Sequence, residues 1–401
     1  MKRDLQRVEL AQAAMRESSM DGLVCSLPHH VLLLSGYWPV TAVSLVVVTR
    51  RGQIVLLVPE DERDLAGQGY ADEVRTFRPS SLQDLRSVRD NVRRPLAELL
   101  SHVELDGTAT VGYEDDEASV PVTYSAMHVF GAAIRNVIAD ASPRARLLPG
   151  SAMLRGLVSC MTPDELDRVR NACKVVCSAF LGGAKSLTVG LSEAEAAHAF
   201  HNLLDESFKD GERGQRAGGF VWCMSGPNAA QAGAAYARTR DRRLETGDLV
   251  LIHCNSYLGG YWTDVTRTFC VGEPDERKSR MYAAVLAAEQ AALQLIRQAA
   301  TGAEIDRAAR EVLRLHGFEK EFTHGTGHGV GFGAISPEAR PRLHPMSGDV
   351  LEPGMVFNVE PAVYLPGYAG LRQCSMVAVG PRGPELLTPM QRELEELVIR
   401  P

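Results

Sequence analysis

Five side chains in the second part of the chain have the types that hold a hydrolytic metal ion: His253, Asp264, His328, Glu360 and Cys374. His253 closes the apolar run Leu249 to Ile252, and Asp264 follows eleven residues later. Two strands joined by a turn at Gly259-Gly260 would bring that imidazole and carboxylate side by side, near enough to share an ion. His324-Gly325-Thr326-Gly327-His328-Gly329-Val330-Gly331 is a glycine-rich loop that lets backbone approach a ligand and presents two imidazoles four residues apart. Asn358-Val359-Glu360-Pro361 ends a strand on a carboxylate, and Leu371-Arg372-Gln373-Cys374 leads into another. Singly, each is an ordinary hydrogen-bonded residue at a strand end. Together, Asp, His and Glu on separate core strands, one of them carried by a glycine-rich loop, make the donor set of a hydrolytic metal site.

The elements that must position these residues divide near residue 155, predicting domains over 1–155 and 156–401. The first alternates helices and strands: a helix over Leu5 to Arg16, a strand at Gly22 to Cys25, and a hairpin of Ala42 to Thr49 with Gln53 to Pro59 around Arg51-Gly52. Helices over Leu82 to Leu100 and Val122 to Ile134, with strands at Val74 to Phe77 and Thr110 to Tyr113, complete it, and it carries no catalytic cluster that the sequence reveals. In the second domain Thr162-Pro163-Asp164-Glu165 reads as a capping box opening a helix to about Leu187. Ser192 with Glu195, before a helix to Phe208, and Thr301 with Glu304, before a helix ending at His316-Gly317, repeat the device. Strand patterns lie at Gly219 to Met224, Asp248 to Cys254, Asp264 to Val271, Met355 to Pro361 and Ser375 to Val379. The order helix, helix, strand, strand occurs before residue 272 and again after it, which predicts two similar halves.

Composition narrows the class. The 401 residues are 45% apolar and 23% charged, as in ordinary globular proteins. A net charge of -7 and a pI near 5.9 argue against nucleic-acid or anionic-membrane partners. Asp241 and Glu245 interrupt the run Arg238, Arg240, Arg242, Arg243, which reads as a solvated loop. The first twenty residues alternate charged and apolar types without the unbroken apolar core of a signal peptide, and no apolar stretch approaches the roughly 20 residues that span a bilayer; the expectation is a cytoplasmic protein. Eight irregularly spaced cysteines fit reduced thiols, with Cys173 and Cys177 as small buried side chains in a helix.

Several sequence blocks, in order, carry a resemblance: Ser225-Gly226-Pro227-Asn228, Gly247 to Ile252, Tyr261 to Phe269, His324 to Gly331, Leu351-Glu352-Pro353-Gly354-Met355-Val356 with Glu360-Pro361, and Arg372. Over about residues 150 to 390 the chain resembles the pita-bread hydrolases: methionine aminopeptidase, Xaa-Pro aminopeptidase, prolidase and creatinase. The resemblance implies an α/β protein, with a C-terminal pita-bread domain of pseudo-twofold halves preceded by a smaller creatinase-type α/β domain. In the metal-dependent members two divalent ions are held by Asp, Asp, His, Glu and Glu. By position, Asp264 matches the bridging Asp, His328 the His and Glu360 the first Glu, whereas His253 stands in the place of the first Asp and Cys374 in that of the bridging Glu. His324 and Arg372 match a proton-handling and a substrate-binding position. Tyr236 and Ile335 stand where two substrate-contacting histidines would be. The proline-specific relatives imply a homodimer and a small-molecule or short peptide substrate.

Losing two carboxylates removes two charges and the bridge that sets a pair of hard cations roughly 3.5 to 4 Å apart. Imidazole and thiolate are softer donors, so one zinc ion on Asp264, His328, Glu360 and Cys374, with His253 as ligand or behind them, suits this set better than manganese or cobalt. The expected activity is hydrolysis of an amide or peptide C–N bond in a small, Xaa-Pro-like substrate, with Glu360 or His324 moving protons and Arg372 and Tyr236 contacting substrate. Two other readings stay open: a metal-free, creatinase-like hydrolase of a small amidino or amide compound, and an inactive scaffold that only binds. Random decay would leave Ala, Ser, Asn or Gly more often than two new metal-competent residues, which favours an enzyme.

Overall fold

The computed structural model describes residues 1–401 except 41–42, 80–86, 116–130, 209–214, 234–238, 335–339 and 401. It divides into two compact units, Met1–Val158 and Ser159–Pro401. No helix among the described residues is long and apolar enough to cross a membrane.

The first unit is built on a six-stranded sheet, in the order β4-β3-β2-β1-β5-β6, from β1 (Gly22–Cys25), β2 (Leu45–Thr49), β3 (Ile54–Pro59), β4 (Glu73–Phe77), β5 (Thr110–Tyr113) and β6 (Arg146–Pro149). The β2–β3 hairpin turns at Gly52, whose φ of 91° only glycine adopts readily. Around the sheet lie α1 (Leu5–Glu17), α2 (Pro28–Ser35), α3 (Arg63–Ala66), α4 (Val88–His102), α5 (Gly131–Ala141) and α6 (Ser151–Ser159). Val24, Val47, Val55 and Val111 from the sheet meet Leu96 and Leu99 of α4 and Ile138 of α5 in one core. The helix starts expected at Leu82 and Val122, and the strand start at Ala42, lie outside the described residues. Helix α2 escaped the sequence reading for a physical reason. Its run is buried almost all round, so it has no polar stripe, and no side chain caps its start; the amides just ahead of it, Ser26 N and Leu27 N, donate to Glu114, just past β5, at 2.8 and 2.9 Å.

In the second unit the three capping boxes form as expected. Thr162, Ser192 and Thr301 each accept from the amide three residues on, while Glu165, Glu195 and Glu304 return to the cap amide. They open α7 (Pro163–Gly183), α8 (Glu193–Ser207) and, after α9 (Gly226–Ala229) and α10 (Glu276–Leu295), α11 (Gly302–Leu315). One sheet runs β15-β9-β8-β7, with β7 (Ala217–Ser225), β8 (Asp248–Leu258), β9 (Tyr261–Val271) and β15 (Val398–Ile399), which follows α12 (Leu394–Leu397). The others pair β10 (Val356–Val359), β13 (Ser375–Gly380) and β14 (Gly383–Leu386) in the order β10-β13-β14, and β11 (Ala362–Leu365) with β12 (Ala369–Arg372). Two helices followed by strands thus occur twice along this unit.

Two expectations need correction. His253 does not end its strand: β8 continues to Leu258 before turning at Gly259 and Gly260, whose φ values of 60° and 89° match a tight hairpin turn. Nor is the Arg240–Arg243 segment merely solvated, because Arg242 donates to Asp248 and, at 2.8 Å, to Ser225 Oγ, pinning the loop before β8 to the end of β7. Arg238 lies outside the described residues.

Candidate metal and active site

Asp264 sits in the middle of β9 with its side chain wholly buried, and the other donors reach it from four directions. In the β8–β9 register His253 faces Thr266 and Asn255 faces Asp264, so His253 and Asp264 stand diagonally rather than side by side. His253 Nδ1 lies 3.0 Å from Thr266 Oγ1 and 3.8 Å from Asp264 Oδ1. Burial, with Arg372 near by, lowers His253 to about 3 against the pull of Asp264, so the ring is neutral.

Cys374 lies between β12 and β13 and bonds back to β9: Thr266 N donates to Cys374 O at 3.3 Å, and Cys374 N to Thr266 O at 3.0 Å. That bridge carries the fully buried thiol to 3.6 Å from Asp264 Oδ1. Burial pushes the thiol up, reinforced by Asp264 and Glu360, so without a cation it stays protonated.

His328 is aimed by Asn358 of β10. Its amide donates to Asn358 Oδ1 at 2.7 Å, and its carbonyl accepts from Asn358 N at 3.0 Å. Gly327 permits this approach, since a Cβ there would fall 2.0 Å from Asn358 O. His328 Nδ1 lies 3.1 Å from Gly329 O, which can only accept, so the proton sits on Nδ1, and Nε2 accepts from Asn358 Nδ2 at 3.2 Å. Nε2 is 3.5 Å from Asp264 Oδ2 and 3.8 Å from Glu360 Oε1. Glu360 follows β10, its amide donating to Thr326 O at 2.7 Å; burial raises its carboxyl to about 7, against Arg372 and His328.

His324 turns toward a different partner. Nδ1 donates to Gly325 O at 2.8 Å, leaving Nε2 to accept from Tyr364 OH at 3.0 Å. Burial and Arg372 lower this imidazole to about 4. Arg372, at the end of β12, donates through Nε to Thr266 Oγ1 at 3.1 Å and lies 4.0 Å from Glu360 Oε2, while its buried Nη2 makes no hydrogen bond. Tyr236 and Ile335 lie outside the described residues.

Sequence reading missed the support of the glycine-rich loop. Asp306 on α11 is wholly buried and accepts through Oδ1 from Thr326 N at 3.0 Å and Thr326 Oγ1 at 2.8 Å. Its Oδ2 pairs with Arg310 at 2.7 Å, and Arg310 in turn donates to Phe322 O at 3.1 Å and to His324 O. The signal was an acid beside the apolar series Ile305, Ala309, Leu313, one helical turn before an arginine. Thr266 and Tyr364 were missed as well, since nothing local marks them.

The donor set fits one divalent ion. Ligand atoms of Asp264, Glu360 and Cys374 lie within 4.8 Å of one another, and Asp264 Oδ2 is buried without a hydrogen bond, a state that is costly unless something else satisfies it. Another cluster of metal-competent types, Cys25, His30 and Glu114, is explained internally, because Glu114 already accepts from Ser26 N, Leu27 N and His30 Nδ1.

Both units have relatives among known proteins. The family model for the creatinase/prolidase N-terminal domain matches residues 7–147. The chain is 29% identical over 242 residues to a Xaa-Pro dipeptidase of Pyrococcus furiosus, covering 60% of this chain and 66% of that protein. It is 31% identical over 261 residues to a probable dipeptidase of Mycobacterium tuberculosis, covering 62% and 66% respectively. The matched segments therefore span just under two thirds of these curated relatives. Among solved structures, the prolidase from Pyrococcus furiosus superposes with a TM-score of 0.74 at 25% identity, covering 95% of this chain and 100% of that one. An X-Pro aminopeptidase from Thermotoga maritima shares the fold with a TM-score of 0.78 at 21% identity, over 97% of this chain and 100% of the other. The model for metallopeptidase family M24 matches residues 167–381, more than half of the 401 residues, and the chain belongs to that family.

Proposed function

We propose that the protein hydrolyses the C–N bond of a short, Xaa-Pro-like dipeptide or a closely related small amide, at a site holding one divalent ion. The observation that carries this reading is the cluster of Asp264, Glu360 and Cys374, whose ligand atoms lie within 4.8 Å of one another, with His328 Nε2 3.5 Å from Asp264 Oδ2, an oxygen that is buried and makes no hydrogen bond. Membership of the metallopeptidase family and the dipeptidase names of the relatives support it. Those four residues would hold the ion, and zinc suits a set containing thiolate and imidazole better than manganese or cobalt. Such an ion supplies Lewis acidity and a more acidic bound water. His253 stands behind the ligands, its Nδ1 engaged with Thr266.

The chain's own groups do the rest. Arg372 offers Nη2, buried and without a hydrogen bond, to an anionic oxygen of the substrate or of the addition step. Glu360, raised to about 7 by burial while no cation is bound, would be held as the carboxylate with the ion in place, ready to take up a proton from water. Neutral His324 holds the Tyr364 hydroxyl by its Nε2 and takes up that proton if the hydroxyl is called on to give it. Tyr236, outside the described residues, is assigned a substrate contact on the family pattern alone, and a cytoplasmic location and a homodimer belong to the same reading, the homodimer checked by light scattering of the purified chain.

Zinc-loaded protein, presented with Xaa-Pro dipeptides and small amides, should release free amine, and Asp264→Ala should lose that turnover while keeping its circular dichroism spectrum. Turnover that survives complete metal removal would replace this reading with the metal-free one. No hydrolysis by the loaded wild-type chain would leave only a binding role.

A further inference from the structure

The face of the sheet that carries Asp264 also carries a stack of rings. Trp222 of β7 is opposite His253, which is opposite Thr266, and Phe220 is opposite Asn255, which is opposite Asp264. Directly opposed residues share a face, so Phe220, Trp222 and Asp264 all stand on the same side. The rings of Phe220 and Trp222 are near-parallel, 5.8 Å apart and 15° from coplanar, and Trp222 continues onto His253 at 5.4 Å and 17°. β7 is the last strand of its sheet, and both rings are only half-buried. With adjacent strands about 4.8 Å apart, the wall stands roughly 10 Å from Asp264, the reach of a side chain flanking an amide bound there. The rings are held in place: His253 backs Trp222 and is itself tied to Thr266, so the wall presents rigid apolar area, the usual form of a recognition anchor.

We propose that Phe220 and Trp222 form the specificity wall of the site, selecting substrates that carry a planar or bulky apolar group beside the scissile bond. The inference rests on the proposed hydrolytic function and assigns its substrate class. It predicts that Phe-Pro is cleaved with a kcat/KM about tenfold or more above that of Gly-Pro, the discrimination an apolar pocket supplies. Trp222→Ala should remove that ratio through a larger rise in KM for Phe-Pro than for Gly-Pro, and Trp222→Phe should keep most of it. Equal losses for both dipeptides in Trp222→Ala, or no preference in the wild type, would overturn the wall. A binding measurement keeps the two readings separate. Cinnamoyl-proline should quench tryptophan emission in the wild type and not in Trp222→Phe. Quenching without turnover of any substrate would remove the hydrolytic function and leave the wall standing, whereas turnover with identical quenching in both chains would remove the wall and leave the function.

Discussion

Replacing Asp306 tests whether the ligand loop is held from behind, since Asp306 touches no candidate ligand and acts only through Thr326 and Arg310. Asp306→Ala leaves the buried amide of Thr326 without its acceptor, about 1 to 3 kcal/mol. It also strips Arg310 of its carboxylate. Removing one partner of a buried pair costs about 3 to 5 kcal/mol, and since the Arg310 side chain is 28% exposed and still holds Phe322 O and His324 O, the lower end applies. These contributions overlap, so the expected loss is about 3 kcal/mol, and about half that for Asp306→Asn, which keeps an oxygen for Thr326. Because two units can unfold separately, the assay is urea unfolding of the metal-free chain in a Trp38→Phe background, where Trp222 and Trp262 report on the second unit alone. Zinc affinity, measured by competition with a chelating dye, should fall about 10- to 100-fold, the usual effect of disturbing what orients a ligand. A stability change under about 1 kcal/mol together with unchanged zinc affinity would refute the argument.

Cobalt(II) bound at the site should show a thiolate-to-metal charge-transfer band that disappears in Cys374→Ser and persists in His253→Ala; the opposite pattern would exchange the roles of those two residues. Proton release on metal binding, read by calorimetry in buffers of different ionisation enthalpy, should shrink in Cys374→Ser, because the raised thiol must deprotonate to ligate. His324, lowered from 6.5 to about 4, leaves the unfolded chain with the larger proton uptake between those values, so its contribution to stability is complete above pH 6.5 and is lost as pH falls toward 4. In metal-free protein, His324→Gln should flatten the rise of unfolding free energy over that window by about 1 kcal/mol per pH unit, and an unchanged slope would show that the imidazole is not held neutral by the fold.

What the sequence made legible was local. Thr162 with Glu165, Ser192 with Glu195 and Thr301 with Glu304 act within one helical turn, and Gly259-Gly260 turns its hairpin within two residues, so neighbouring residues alone suffice to read them. Helix α2 was missed because it carries no side-chain cap and its lead-in, Ser26 and Leu27, is held by Glu114, more than eighty residues away. Asp306 and Arg310 were missed because what they hold, the loop from Phe322 to Thr326, comes in only through tertiary packing.

The same division runs through the site. Residue types and order alone marked Asp264, His328, Glu360 and Cys374 as metal-competent. Only the tertiary structure decided which of them meet. A strand register offset by one pair turns His253 toward Thr266, diagonal to Asp264, and the bridge between Thr266 and Cys374 carries a thiol 110 residues distant in sequence to the carboxylate. Side-chain alternation along a strand has a period of two, so a site assembled across strands depends on register, and register is set by pairing between segments that the linear order does not place together.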